Sequence, residues 1–250
     1  MATDVAELRD FYARPLGQVA RRIILSRIRT RWLSAAGARV LGVGFATPYL
    51  GIFREEAERT LAFMPAAQGV IEWPQGGRSA TALVVADTWP VVDSMMDRVL
   101  VVHGLEMWDR ADEVLREAWR VLAPGGRLLA IVPNRRGIWA RVDTTPFGHG
   151  QPFSRSQLTR LLGEAGFEPD YWGEALFFPP AEGGLVLRWS VGIERFGMRF
   201  GLPPPGVHVV DAVKLMHRPI PAPAVVKLEP ARAPVLAPGA SPEPLRKDEA

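Results

Sequence analysis

The stretch Arg39-Val-Leu-Gly-Val-Gly-Phe-Ala-Thr-Pro-Tyr-Leu50 decides the fold class. Val40 to Val43 is a short apolar run that suits a buried strand, and Gly44-Phe45-Ala46 is a tight turn rich in small residues. Thr47 and Pro48 then read as a helix start. Thr is a favoured N-cap, and Pro at the first helical position sacrifices no hydrogen bond. Strand, glycine turn and helix N-terminus together aim backbone N–H groups and a positive dipole at an anionic, nucleotide-like ligand. Plain strand–helix packing uses the same pattern, so the flanking sequence has to choose.

Ala80-Thr-Ala-Leu-Val-Val-Ala-Asp-Thr-Trp-Pro90 reads as a strand ending in Asp87, and Ser94-Met-Met-Asp-Arg-Val-Leu-Val-Val102 as a second, followed by His103-Gly-Leu-Glu106. Ala111, Val114, Leu115, Ala118 and Leu122 fall on one face of a helix. Arg120-Val-Leu-Ala-Pro-Gly-Gly-Arg-Leu-Leu-Ala-Ile-Val132 follows, with Pro124-Gly125 suited to a type II turn into another buried strand. Over residues 38–170 this succession closely resembles the type 11 family of class I S-adenosylmethionine-dependent methyltransferases.

The resemblance implies an α/β, Rossmann-like fold: a mainly parallel seven-stranded sheet flanked by helices, its last two strands antiparallel. It implies S-adenosylmethionine as methyl donor and an unidentified small-molecule acceptor. It also implies cofactor-binding roles. Gly42, Gly44 and Ala46 occupy the glycine-turn positions, and Asp87 would accept from the adenine amino group beside the backbone N–H of Thr88. His103 would lie level with the sulfonium. Glu106 is expected to cap the next helix.

The sequence departs from the family at Gly42, where an acid is usual, and at Ala46 and Pro48, where glycines are usual. The strand at Thr60–Met64 is followed by Pro65-Ala66-Ala67 rather than by a carboxylate for the ribose hydroxyls. Each lost charge-assisted hydrogen bond is worth about 1.5–3 kcal/mol. Gln68 is the neutral stand-in, with Glu72 further along. The same departures support an alternative: a catalytically inactive member of this fold that binds a metabolite or partner.

Composition narrows the class. The 250 residues carry a net charge of +3, and lysine occurs only at 214, 227 and 247, so the high pI reflects arginine usage rather than a nucleic-acid surface. The absence of cysteine excludes disulfides and thiolate chemistry. The four histidines lack metal-ligand spacing, and no metal is expected. The N-terminus is unlike a signal peptide and no apolar run reaches about 18 residues, which makes a cytoplasmic protein the expectation.

Along the chain we expect an N-terminal helical lid over residues 1–37, a methyltransferase-like domain over 38–218 and a disordered Pro/Ala-rich tail over 219–250. In the lid, Leu16, Val19, Ala20, Ile23, Ile24 and Ile28 make an apolar stripe on one helix over 14–33. That stripe suits packing on the main domain or weak contact with a membrane surface; the resemblance implies a third use, a lid over the cofactor and substrate pocket with Tyr12 and Arg14 near its edge. Residues 52–60 read as a short polar helix. The connection 133–153 is long enough to be functional. In it Arg135, Arg136 and Arg141 suit an anionic substrate group, Trp139 and Phe147 an apolar ring, and His149 a catalytic base. Ser154-Arg-Ser-Gln157 is a capping box whose helix runs to Gly166. Trp189–Arg199 reads as a helix and Val207–Met216 as the last strand.

Overall fold

The computed structural model describes residues 4–216; the tail expected over 219–250 lies outside them. Seven strands form one sheet in the order β3-β2-β1-β4-β5-β7-β6: β1 (Arg39–Gly44), β2 (Arg59–Pro65), β3 (Thr81–Val84), β4 (Met96–Val102), β5 (Leu122–Pro133), β6 (Phe167–Ala175) and β7 (Val207–Lys214). All neighbouring pairs are parallel except those of β7, which runs antiparallel to β5 and β6. This is the mixed, Rossmann-like sheet that the sequence leads one to expect.

Side-chain alternation divides the core between the two faces. Val40, Leu100, Val102, Leu129 and Ile131 pack under α1 (Val5–Ala13), α2 (Pro15–Arg31) and α3 (Thr47–Leu50). Leu41, Val43, Val99, Val101, Leu128 and Ala130 pack on α4 (Ala111–Val121) and α5 (Arg155–Glu164). The predicted capping box of α5 is formed, and Gly166 takes the left-handed conformation (φ +85°) just past its end. An α6 (Gly184–Phe200) is inserted between β6 and β7.

Several local expectations need correction. The N-terminal region is two helices that meet at Arg14–Pro15. The apolar stripe of α2 is buried in the core, which leaves no apolar face there for a membrane surface. Ala46, not Thr47, is the cap of α3, and that helix lasts only four residues. Over 52–60 only the end of a single 3-10 turn, Gly51–Phe53, is helical. Glu56 is drawn to Arg29 (2.5 Å) and to the Gly37 N–H (3.0 Å), and Arg59 already begins β2 against Arg39. β3 stops at Val84, and Val85 and Thr88 bridge a turn that carries Asp87.

His208 on β7 gives the fold a pH dependence. Its side chain is 7% exposed, and burial, followed by the charge of Arg155, lowers the imidazole pKa to about 4. Between that value and the ordinary value near 6.5, the unfolded chain holds the extra proton. Stability is therefore full above about pH 6.5 and falls, by up to roughly 3 kcal/mol, as pH drops toward 4. Urea unfolding of wild type and His208→Asn across this window is expected to show a shallower acid loss in the variant; equal slopes would remove His208 as the cause.

Candidate active site

The site lies between β1 and β4, where strand order reverses and α/β sheets hold their ligands. β1 ends at Gly44 with φ +81°, and a Cβ there would sit 2.4 Å from the Val102 carbonyl oxygen. Only glycine permits this approach. The Phe45 N–H then donates to the Val102 carbonyl (2.8 Å), which ties the turn to β4.

Directly after β4, His103 adopts a left-handed backbone (φ +48°), a conformation that non-glycine residues keep mainly where the surroundings enforce it. Its ring is buried, and its two nitrogens face different partners. Nε2 lies 2.7 Å from the Tyr12 hydroxyl, which is itself 2.8 Å from the Tyr49 hydroxyl. Nδ1 lies 3.3 Å from Glu106 Oε1, within ion-pair reach but off the line of a good hydrogen bond. Both Glu106 oxygens are buried without a hydrogen-bond partner among the described residues. Such buried polar atoms call for a partner, whether a water or a ligand.

Burial, reinforced by Tyr49 and the Glu106 charge, raises the Tyr12 phenol well above its ordinary pKa, and burial raises Tyr49 as well. Both phenols therefore keep their protons. A proton on Nδ1 facing Glu106 leaves the Nε2 lone pair to accept from Tyr12, and the Tyr12 oxygen accepts from Tyr49. The Tyr12 ring stacks on Phe45 (5.8 Å between centroids), and Phe147 packs on His103 (4.7 Å).

Of the residues predicted from sequence, Gly44, Ala46, Gln68, His103 and Phe147 come together here. The Gln68 side-chain amide donates to the His103 carbonyl oxygen (3.2 Å), and the Gln68 backbone carbonyl accepts the Val5 N–H (2.8 Å) that starts α1. Gly42 points toward α3. A Cβ there would lie 2.6 Å from Leu50, which is why the family's acid has no room at this position. Trp139 is buried at the margin, donating to the Phe178 carbonyl (2.7 Å) and packing on Phe147.

The rest lie elsewhere. Asp87 and Thr88 are exposed in their turn. Arg135, Arg136 and Arg141 are exposed on the outer loop. His149 bonds the Asp143 carbonyl (2.8 Å) and lines a separate cavity of about 380 Å³ with Glu7, Asp10, Phe11 and Arg14. Glu106 caps nothing; α4 starts after Arg110. Tyr49 and Glu106 were not expected as site residues, and Tyr12, expected only near the pocket's edge, lies inside the site on His103. The one usable signal was the i,i+3 spacing of His103 and Glu106 at a strand end.

A family model described as a methyltransferase domain matches residues 26–130. The demethylmenaquinone methyltransferase of Thermus thermophilus is 30% identical over 183 residues, covering 71% of this chain and 73% of that protein. The chain belongs to the class I S-adenosylmethionine-dependent methyltransferases. A ubiquinone/menaquinone biosynthesis C-methyltransferase of Acidiphilium cryptum is 34% identical over 108 residues, 43% of this chain and 38% of its own length. In fold, the chain is similar to an S-adenosylmethionine-dependent methyltransferase of Thermotoga maritima (TM-score 0.59, 18% identity, 84% and 96% of the two chains). It is also similar to the [4+2]-cyclase SpnF (TM-score 0.54, 23% identity, 79% and 82%).

S-adenosylmethionine is the family's methyl donor, and the backbone cradle at Gly44 suits it. The side chains do not fit it in this conformation. β2 ends at Pro65 with no carboxylate beside it, Asp87 faces solvent, and Tyr12 lies over Phe45 with its hydroxyl on His103. Tyr12, Phe45, Tyr49, Gln68 and His103 are all buried, so the crevice is closed by the chain itself.

Proposed function

We propose that this methyltransferase acts on a small phenol- or hydroquinone-type acceptor, with His103 taking the proton and Glu106 positioning His103. In this reading α1 is a strap that fills the site with the chain's own phenol. The Tyr12 hydroxyl at 2.7 Å from His103 Nε2 carries the reading, because it puts a phenolic O–H against a buried ring nitrogen at the end of β4. The names of two relatives, which act in quinone biosynthesis, support the same acceptor chemistry.

With Tyr12 withdrawn, an acceptor hydroxyl in its place gives its proton to Nε2. The phenolate that results is electron-rich at oxygen and at the ring carbons beside it, which makes either a better nucleophile toward a methyl group. Phe45 and Phe147 are the flat apolar surfaces against which such a ring would lie. The closed crevice and the missing ribose acid favour a second reading, a non-catalytic member of the family, and the experiment below separates the two.

Calorimetric titration with S-adenosylmethionine is expected to show weak binding by wild type. Tyr12→Ala removes a buried ring worth about 2 kcal/mol and at least one hydrogen bond of about 1 kcal/mol from the closed form only. Cofactor affinity is then expected to rise about 10- to 100-fold, since the binding-competent fraction grows. Labelled methyl transfer to naphthohydroquinone, held reduced, tests the acceptor. Tighter cofactor binding without label in any phenolic ring would favour the non-catalytic reading. Weaker binding by Tyr12→Ala would make Tyr12 part of the cofactor site and end the strap.

A further inference from the structure

α6 packs Val186, Leu187 and Ile193 on the core beside the buried Ser190, Glu194 and Gly197, and carries a second apolar strip on its outer side. The Glu194 carboxylate accepts the N–H groups of Leu176 (3.1 Å) and Phe177 (2.7 Å) and faces Arg27 at 3.4 Å. Gly197 makes room for the Phe177 ring, 2.3 Å from where its Cβ would be. On the outer side Leu185, Trp189, Phe196 and Phe200 are between 55% and 74% exposed. At 3.6 residues per turn these four fall within an arc of about 60°. Arg188, Arg195 and Arg199 form an exposed row beside them, and none is ion-paired among the described residues. The helix's one acid, Glu194, faces inward.

A soluble helix buries its apolar face; one that displays Trp, Phe and Leu beside a row of arginines has the pattern of a helix lying in a bilayer interface. We propose that α6 docks this protein on an anionic phospholipid surface. Leu185, Trp189, Phe196 and Phe200 would enter the acyl boundary, and Arg188, Arg195 and Arg199 would meet headgroup phosphates. A second copy is a poor occupant. A two-fold contact over this face would bring two arginine rows together with no acid between them.

The position of α6 gives docking a use. β6 runs parallel to β5, so α6 leaves from the same sheet edge that carries His103. Arg14, at the α1–α2 corner, pairs with Glu182 just before α6 (2.9 Å), and Trp139 joins the Phe178 carbonyl to Phe147. A docked α6 would set the strap close to the lipid surface, where apolar acceptors reside. The docking itself does not depend on what the acceptor is.

Cosedimentation of the full chain with phosphatidylcholine vesicles, with and without phosphatidylglycerol, tests this. Wild type is expected to pellet with the anionic vesicles only. Trp189→Ser/Phe196→Ser is expected to lose binding at least about tenfold. Arg188→Gln/Arg195→Gln/Arg199→Gln is expected to lose about a hundredfold on anionic vesicles. All five positions are exposed, so neither variant disturbs the core, which circular dichroism checks. Failure of wild type to bind anionic vesicles would overturn the proposal, as would undiminished binding by both variants. So would a dimer, seen by sedimentation, that the aromatic variant dissociates. Methyl transfer is not read in any arm, so the outcome is separate from that of the acceptor assay.

Discussion

Replacing His103 by glutamine is expected to slow methyl transfer to a phenolic acceptor by about 10²–10⁴-fold, the usual contribution of a positioned base. Cofactor affinity should change little, because the ring touches Tyr12, Phe147 and Glu106 rather than the turn at 44–46. Glu106→Gln is expected to have a smaller effect on kcat, since it alters only which nitrogen carries the proton. Rapid-quench measurement of labelled product, with the cofactor titrated separately, reads both quantities. Equal turnover by wild type and His103→Gln would remove His103 from the chemistry. A loss in cofactor affinity as large as the loss in rate would show that the ring holds the cofactor instead. His149→Ala is the control. Its side chain lines a different cavity and bonds loop backbone, so it should leave the rate near that of wild type.

Local patterns in the sequence were a good guide wherever a segment's structure depends on its own residues. The strand and glycine turn at 40–46, the amphipathic face of 111–122 and the Ser154–Gln157 capping box all formed as read. Segments ruled by distant partners were not legible. Residues 52–60 have helix-compatible composition, but Glu56 is captured by Arg29 and Gly37, and β2 has to start at Arg59. The site shows the same division. Gly44, Gln68 and His103 belong to strand ends and could be placed from the fold. Tyr12 could be placed only near the pocket's edge, through the expected lid, because 91 residues separate it from His103 and nothing in the local pattern of α1 marks it as a partner for the far end of β4. Gly42 makes the point in reverse. Its departure from the family reads as a defect in sequence, whereas in the fold it is space taken up by Leu50.

The largest expected loss of stability is at Asp211, in a charge cluster that fixes α2 to the sheet. Its carboxylate is fully buried on β7 and receives a two-pronged contact from Arg127 (3.0 and 2.9 Å) and a third hydrogen bond from Arg31 (3.1 Å), in the last turn of α2. Arg31 also lies over the Tyr171 ring at 4.4 Å, and both arginines reach the more exposed Asp170. Asp211→Ala would leave two partly buried cations facing a cavity. Breaking a buried pair on one side usually costs about 3–5 kcal/mol. For a domain of this size that is a fall in Tm of roughly 6–20 °C. Removing both sides with Asp211→Leu/Arg127→Met is expected to recover part of the loss, because well-packed apolar groups can replace a buried pair. Chemical unfolding of the two variants decides the point: a change within about 1 kcal/mol in Asp211→Ala would mean that solvent already screens the cluster. The cluster also bears on how the site opens. It anchors the far end of α2, while α1 is held by Val5, Leu8, Phe11 and Tyr12 and by one backbone bond to Gln68. Arg14, in extended conformation between the two helices, is therefore the place where the chain can bend. If so, Asp211→Ala should lower stability without tightening cofactor binding, and Tyr12→Ala should tighten cofactor binding while lowering stability by about 1.4–2.8 kcal/mol, the equivalent of a 10- to 100-fold gain in affinity.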